Sequence, residues 1–312
     1  MARPHLLVAS TGGHLTQLID LAGRIPSAGE NVWVTFESDQ ASAALAGEQV
    51  ETVRYIPPRG YLPLLRALPR ALWLLARHRP AVVVSTGSAI ALAFLPIAPL
   101  VRARAIYIES ATRSRGPSAT GAVLQRLPWV DRFTQHESQA NDRWAYAGSV
   151  FEGFTATEVP ATPPRSFVVT LGTMETYGFR RLLDRLTAIL PPDAEVLWQT
   201  GVTDTKGLDI DARVSVPADE LEEAIRSADV VIAHAGTGTA LTSMRLGKRP
   251  ILVARRAHHD EHVDDHQLLT AELLASQGLA LAVEVDQLSA ATLEEATRTV
   301  VTRSASPPRL RL

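Results

Sequence analysis

The sequence predicts an α/β protein made of two successive parallel-sheet domains facing a cleft. Three observations carry this. Short β-branched runs alternate with helix-length segments along the chain, the pattern of parallel βαβ units. Several runs end in small-residue turns that open the next helix: Ser10-Thr11-Gly12-Gly13-His14, Ser85-Thr86-Gly87-Ser88, Gly172-Thr173 and His234-Ala235-Gly236-Thr237-Gly238-Thr239. Between the two series the texture shifts to Gly, Thr, Glu and Pro, with Pro160, Pro163 and Pro164, as in an interdomain linker. The expected division is a domain at 1–150, a linker at 151–165, a second domain at 166–302 and a tail at 303–312.

The chain has 312 residues, 46% hydrophobic and 21% charged, enough for one large or two ordinary cores. A net charge of −2 supplies no basic field, so nucleic acid is not an expected partner. The absence of cysteine excludes disulfides, thiol catalysis and cysteine-ligated zinc, and suits a reducing cytoplasm. Residues 1–12 lack the basic and apolar regions of a signal peptide. No stretch reaches the ~20 uninterrupted apolar residues of a spanning helix. A soluble or membrane-peripheral protein is expected.

The first strand, His5 to Ala9, runs into the Gly12-Gly13 turn and a helix from Leu15 to Arg24. Free N–H groups at such a helix start suit a phosphate or diphosphate. The turn is not G-x-G-x-x-G, so a dinucleotide is not implied. His14 lies where the positive end of the helix dipole disfavours the imidazolium, which keeps a neutral base near pH 7. Asn31 to Phe36 reads as a strand, Ser38 to Ala46 as a helix capped by Ser38, and Glu51 to Tyr55 as the third strand. From Tyr61 to Arg79 the chain is rich in leucine, with Trp73, arginine at 66, 70, 77 and 79 (and at 59 just before), and no acid. An apolar, purely basic helix suits an anionic membrane surface; equally, it packs on the sheet with a basic outer face. Pro69 should kink it. The fourth strand, Ala81 to Val84, ends at Ser85, and Ala89 to Val101 is an apolar helix broken by Pro96 and Pro99. The fifth, Ala105 to Ile108, delivers Glu109, Ser110 and Arg113 to the same rim. A carboxylate there binds a hydroxyl, acts as a base, or is a helix-start acid.

The second series opens with strand Phe167 to Leu171, the Gly172-Thr173 turn and helix Phe179 to Leu190. Strands Glu195 to Gln199 and Arg213 to Val216, helix Glu220 to Ser227 and strand Asp229 to Ala233 follow. Next comes the turn around which the chain is organised. Gly236 and Gly238 let the backbone approach a ligand, and the helix from Thr239 to Leu246 points its first N–H groups at it. After the stop Gly247-Lys248-Arg249-Pro250, strand Ile251 to Val253 opens into a polar run from His258 to Gln267. Open α/β sheets bind ligands at such strand ends. His258 and His262 would share a helical face and suit a metal, but Asp260-Glu261 favours a loop, and no metal is assigned. A helix near His266 to Gln277, strand Leu279 to Val283 and a helix from Leu293 to Val301 complete the series. The tail from Arg303, with Pro307-Pro308, reads as frayed.

These residues carry a resemblance. Ser-Thr-Gly-Gly-His-Leu-Thr-Gln-Leu at 10–18, Val-Trp-Val-Thr-Phe at 32–36, Tyr-Ile-Glu-Ser at 107–110 and Arg113 resemble the membrane-anchoring, acceptor-side subunit of two-part glycosyltransferases. His-Ala-Gly-Thr-Gly-Thr at 234–239 and Glu-His-Val-Asp-Asp-His-Gln at 261–267 are similar to the donor-side, catalytic subunit. Such pairs include bacterial capsule and exopolysaccharide glucuronosyl- and galactosyltransferases and the dolichol-linked UDP-GlcNAc transferase. Lipid II synthase, of glycosyltransferase family 28, is a single-chain cousin. The likeness spans about residues 5–285, as if both subunits were fused.

The resemblance implies a GT-B fold of two Rossmann-like domains and an inverting, metal-independent transfer with no cofactor. A UDP-sugar would bind in the C-terminal lobe, and a polyprenyl-diphosphate-linked sugar in the N-terminal lobe, at the cytoplasmic face of the cell membrane. Capsule or exopolysaccharide synthesis, with a polysaccharide assembly complex as partner, is the implied setting. His14, across the cleft from the donor, is the implied base, with Glu109 its competitor. Gly172, Thr173, His234, Gly236, Thr237, Gly238 and Thr239 would hold the UDP diphosphate. Glu261, Asp264, Asp265, His266 and Gln267 would meet sugar hydroxyls. Thr11, Gly12, Gly13, Ser85, Thr86, Gly87, Ser88, Ser110 and Arg113 would take the acceptor. One position departs from the pattern: where donor-side relatives carry an acid for the ribose hydroxyls, this chain has Thr242, a weaker acceptor than a carboxylate. Two other functions fit the architecture. A UDP-sugar 2-epimerase would need a dense set of cleft carboxylates and no basic apolar helix. A non-catalytic activator or scaffold is disfavoured by the presence of both half-sites in one chain. Fold alone does not decide among them.

Overall fold

The computed structural model describes residues 3–25, 30–57, 60–113, 115–172, 176–262 and 266–312, with His266 described by its backbone alone. The chain forms two compact units, Met1–Glu152 with Pro307–Leu312, and Gly153–Ser306.

The N-terminal unit is built on β1 (His5–Val8), β2 (Asn31–Phe36), β3 (Gln49–Val53), β4 (Val82–Ser85), β5 (Arg104–Ile108), β6 (Val130–Thr134) and β7 (Ala145–Tyr146). Its helices are α1 (Gly13–Ala22), α2 (Asp39–Ala44), α3 (Tyr61–His78), α4 (Ile90–Phe94) and α5 (Ala119–Leu124). All strand pairings are parallel, in the order β3-β2-β1-β4-β5-β6-β7. Parallel strands covered on both faces need continuous apolar runs, which Leu6, Val8, Val32, Val34 and Val83 supply. Ala67, Ala71, Leu74 and Leu75 of α3 close one side of that core.

The second unit repeats the scheme with β9 (Ser166–Thr170), β10 (Glu195–Gln199), β11 (Ala212–Arg213), β12 (Val230–His234), β13 (Ile251–Val253) and β14 (Leu281–Ala282). The order is β11-β10-β9-β12-β13-β14, again parallel. Helices α6 (Arg180–Ile189), α7 (Ala218–Ser227), α8 (Thr237–Arg245), α9 (His266–Ser276) and α10 (Ala290–Ala296) cover it. In each sheet the winding reverses next to its first strand, between β1 and β4 and between β9 and β12. Loops diverge there and leave a crevice at the carboxyl ends. The four small-residue turns of the sequence follow these four strands.

Several expectations need correction. The stretch at 151–165 is not merely a linker: Phe154–Glu158 is a strand, β8, paired antiparallel with β15 (Thr299–Arg303). The last helix accordingly ends at Ala296 rather than Val301. Strand β6 escapes a hydropathy reading because Asp131 and Arg132 interrupt the run, and β7 because it is only two residues long. Asp131 pairs with Arg104 at 2.6 Å, and Arg132 donates to the carbonyls of Gln125, Leu127 and Arg143. Helix α3 continues through Pro69. The apolar segment after β4 becomes α4 and then a 3-10 helix at Leu95–Val101, as its prolines require.

The tail is not frayed. Leu310 is 5% exposed, its N–H donates to the Arg24 carbonyl at 3.1 Å, and the Arg311 N–H donates to Ala147 at 3.0 Å. Arg24, buried, donates Nε to the Pro308 carbonyl at 2.7 Å, Nη1 to the Ser149 carbonyl and Nη2 to Glu152 at 2.7 Å. One guanidinium therefore ties the point where the chain leaves this unit to the point where it returns. Arg24 is 2% and Glu152 33% exposed, so removing the guanidinium strips hydrogen bonds from two carbonyls and a part-exposed carboxylate, at a cost of about 1–3 kcal/mol. Arg24→Met should thus bring the unfolding of the N-terminal unit in urea to a clearly lower midpoint. An unchanged midpoint would make the tail contact superficial.

Candidate active site

At the switch point of the N-terminal unit, α1 begins at Gly13 with Gly12 as its cap residue, at φ 85°. His14 in this first turn faces the β4 turn. Its Nδ1 lies 2.8 Å from the Thr86 carbonyl, while the Thr86 hydroxyl donates to the His14 carbonyl at 2.8 Å. A carbonyl only accepts, so Nδ1 carries the proton and Nε2 keeps a lone pair. Gly87 makes room: a Cβ there would lie 2.7 Å from His14 Cε1. Burial lowers the His14 pKa, opposed by its bond to Thr86 and by the charge of Glu109. The ring is held neutral, with its basic nitrogen free.

Glu109, at the end of β5, is 3% exposed. Its Oε1 accepts from the Tyr107 hydroxyl at 3.0 Å and the Ser110 N–H at 3.1 Å, and its Oε2 from the Ser118 N–H at 2.8 Å. The Tyr107 hydroxyl is itself pushed well up, by burial and then by Glu109. A cavity of about 390 Å³ joins His14, Glu109 and Arg113 to the apolar Tyr61 and Leu64 of α3 and Leu92 of α4. Ser88 and Ser110 also line it. Ser85 and Thr86 are instead buried turn-formers, Ser85 accepting from the Gly87 N–H at 3.2 Å. The Gly12 N–H is occupied by Gln40 Oε1 at 2.6 Å, so it is not free for an anion. Thr11 is half-buried beside it.

Sequence reasoning missed the network behind this cavity. Gln17, 1% exposed, donates to Ser110 Oγ at 2.9 Å, and its Oε1 accepts from the Ala111 N–H at 2.8 Å and Gln135 Nε2 at 3.1 Å. The available signal was a glutamine on the buried face of α1, three residues after His14.

In the second unit, His234 ends β12 and leans into a notch between two glycines. A Cβ on Gly172 would lie 2.7 Å from its Cε1, and one on Gly236 2.4 Å from its Nε2. Its Nδ1 approaches the Thr170 carbonyl at 3.4 Å. Burial, then the charge of Arg255, take its pKa down to about 4. Helix α8 starts at Thr237 with no side chain capping Gly236, and carries Thr237, Gly238, Thr239 and, one turn on, the half-buried Thr242.

The downstream cluster differs from expectation. Glu261, 5% exposed, does not offer its oxygens to a sugar. They accept the fork of Arg181 at 2.9 and 3.1 Å and the Arg256 N–H at 3.0 Å. Gln267 spends its Oε1 on the Arg255 N–H at 3.1 Å. His258 and His259 are exposed on a 3-10 turn, so His258 and His262 do not share a helical face. Thr173, Asp264, Asp265 and the His266 side chain lie outside the described residues.

Residues 168–309 match the glycosyltransferase family 28 C-terminal domain. A UDP-N-acetylglucosamine–N-acetylmuramyl-(pentapeptide) pyrophosphoryl-undecaprenol N-acetylglucosamine transferase of Burkholderia pseudomallei is 26% identical over 93% of this chain and 85% of its own length. Among solved structures, MurG of Acinetobacter baumannii aligns with a TM-score of 0.55 at 17% identity, covering 94% of this chain and 89% of that one. The glycosyltransferase SnogD of Streptomyces nogalater gives 0.59 at 18%, covering 95% and 91%. The spinosyn rhamnosyltransferase SpnG, complexed with thymidine diphosphate, gives 0.55 at 19%, covering 94% and 90%. The two parallel-sheet units have the GT-B fold of these structures.

The notch makes a packing prediction. Gly236 has an ordinary negative φ of −80°, and the three atoms nearest an added Cβ all belong to the His234 imidazole. Overpacking of this kind costs about 1–3 kcal/mol. Gly236→Ala should destabilise in His234-containing protein and become nearly neutral in a His234→Ala background, as a double-mutant cycle in urea will read. Additive costs would show that the histidine is not seated in the notch.

Proposed function

From a chain whose residues 168–309 match the glycosyltransferase family 28 C-terminal domain, we propose an enzyme that moves a sugar from a UDP-sugar to a saccharide carried on polyprenyl diphosphate, by inverting displacement. The observation that carries this is the cavity of the N-terminal unit. Its lining brings together His14, whose Nε2 keeps a lone pair, Glu109 and Arg113 with apolar Tyr61 and Leu64 of α3 and Leu92 of α4. That mixed lining suits an amphiphilic acceptor, a hydroxylated head on a lipid.

In this mechanism His14 Nε2 removes the acceptor hydroxyl proton as the oxygen attacks the anomeric carbon. The sugar–phosphate bond breaks, and its electron pair leaves with UDP. Glu109, whose field favours the imidazolium, stabilises the charge that forms on His14. With its oxygens already accepting three hydrogen bonds, Glu109 is better suited to positioning than to taking the proton. Neutral His234 and the uncapped N–H groups of α8 receive the diphosphate, where donors aimed at developing charge act most strongly. The activity in the Burkholderia relative's name, N-acetylglucosamine transfer to a pyrophosphoryl-undecaprenol-linked substrate, is a model for donor and acceptor. It points to peptidoglycan-type precursors rather than to capsule or exopolysaccharide.

General-base catalysis contributes about 10²–10⁴-fold, so His14→Ala should lose that much turnover with UDP-sugar affinity near wild type. The neutral ring is the active form, and burial lowers its pKa. The acid limb of the rate should therefore fall below the ordinary histidine value of ~6.5. Wild-type turnover in His14→Ala would remove His14 from the chemistry.

The same lobe supports a peripheral membrane contact. Among the described residues no helix is long and apolar enough to cross a membrane. Yet α3 exposes Tyr61 (77%), Leu62 (57%), Leu65 (60%) and Trp73 (47%). Its arginines are partly compensated: Glu51 of β3 takes Arg70 at 2.9 Å and His78 at 2.9 Å, and lies 4.0 Å from Arg77. Replacing Leu62, Leu65 and Trp73 by serine should release the protein from vesicles of anionic lipid, whereas Arg66→Gln should weaken binding only at low salt. Unchanged co-sedimentation of the triple variant would return α3 to a purely structural role.

A further inference from the structure

The donor-side notch has a neighbour that its motif does not announce. Arg255, two residues after β13, is 1% exposed and is among the largest fully buried side chains of the described residues. Its Nη2 donates to the Leu171 carbonyl at 2.8 Å and its Nη1 to the Tyr177 carbonyl at 3.0 Å. Its Nε is buried with no hydrogen-bond partner among the described residues. Glu261 is the acid whose field reaches it. Both oxygens of that carboxylate are already held by Arg181 and the Arg256 N–H. The Glu261 charge is matched by Arg181, and Arg255 is left bonded to neutral carbonyls. A guanidinium taken out of water under those terms is costly unless an opposite charge lies near it.

The place of Arg255 says which charge. Leu171 is the residue before Gly172, one wall of the notch around His234, and the guanidinium's field reaches the His234 ring. We propose that Arg255 is a positioning residue of the donor site, a buried cation whose field favours a diphosphate seated at Gly172, His234 and Gly236. This rests on the UDP-sugar reading and adds a source of diphosphate affinity outside the glycine turns. Arg255 acts without touching the ligand: it holds the Leu171 end of the turn and supplies fixed positive charge behind it. It also disfavours protonation of His234, which keeps Nε2 from becoming a second cation.

The test is calorimetric titration of the whole protein with UDP, inorganic diphosphate and uridine, for wild type, Arg255→Gln, Arg255→Met and Arg255→Lys. The neutral variants should lose at least about tenfold in affinity for UDP and diphosphate while uridine affinity stays within about twofold. Lysine should recover most of the loss. Equal weakening of uridine and UDP, or no change in their ratio, would make Arg255 a purely structural residue and overturn the inference while the donor reading stands. If wild type binds neither UDP nor uridine, the donor reading itself fails and Arg255 falls with it. Should both neutral variants fail to fold, Arg255→Lys decides: a collapsed UDP-to-uridine ratio with the charge retained would refute a role for the charge.

Discussion

Both halves of the protein depend on one constraint, the seating of a neutral imidazole in a space that only glycine leaves open. In the N-terminal unit Gly87 admits His14, and in the second unit Gly172 and Gly236 admit His234. Each ring turns its Nδ1 to a carbonyl at a strand end, Thr86 in one case and Thr170 in the other. Both pairs straddle the strands where the winding of the sheet reverses. A buried imidazole with one nitrogen fixed to a carbonyl has its tautomer decided and its charged form disfavoured. The fold thus prepares two aimed nitrogens with one device, and the surroundings set what each can do. Next to Glu109 the N-terminal histidine can accept a proton, because the resulting charge has a partner. Next to Arg255 the second cannot, and remains a neutral neighbour for an anion.

The supporting structure explains why so many polar groups are buried at the carboxyl ends of these sheets. Gln17 reaches from α1 to Ser110, Ala111 and Gln135, and Gln135 in turn donates to the Glu109 carbonyl at 3.0 Å and accepts from the Val150 N–H at 2.9 Å. A buried amide is tolerated only with its bonds made. These contacts therefore fix the loop after β5, the one that carries Glu109 and Arg113, against α1, which carries His14. His14 and Glu109 are thus held by a shared amide network.

How much of this was legible in the sequence divides by range. Alternating β-branched runs and glycine turns are local, so strands β1 to β5, the strands of the second sheet and the turns at 10–14, 85–88 and 234–239 could be read directly, whereas β6 and β7 could not. The pairing of β8 with β15 joins residues about 140 apart and leaves no local period. Glu109 shows the same limit at a single residue. Its position at a rim follows from the strand before it, but its duty is set by the Ser118 N–H nine residues on and by the Tyr107 hydroxyl. Glu261 looked like a sugar ligand because its motif is polar; only the fold brings Arg181 to it, from 80 residues away. Arg255 was invisible for a related reason: an arginine after a strand is ordinarily a solvated charge, and its burial is known only once Leu171 and Tyr177 are placed beside it.

The chemistry of α3 follows from the same kind of accounting. Taken alone, the helix is a purely cationic amphipathic segment. In the fold, Glu51 on the edge of the sheet neutralises part of that charge, and Arg70 and Arg77 lie over the Trp73 ring at 4.5 and 5.2 Å. Cations engaged in this way hold the indole at the surface as much as they attract anionic lipid. Burial of the exposed leucines and aromatics, with Arg66 as the added charge, then has to provide most of the attraction. Such contacts give reversible surface association. Under the proposed transfer, reversible association would suit repeated uptake of a lipid-borne acceptor, because tight anchoring would slow exchange at the cavity that Tyr61 and Leu64 share with His14.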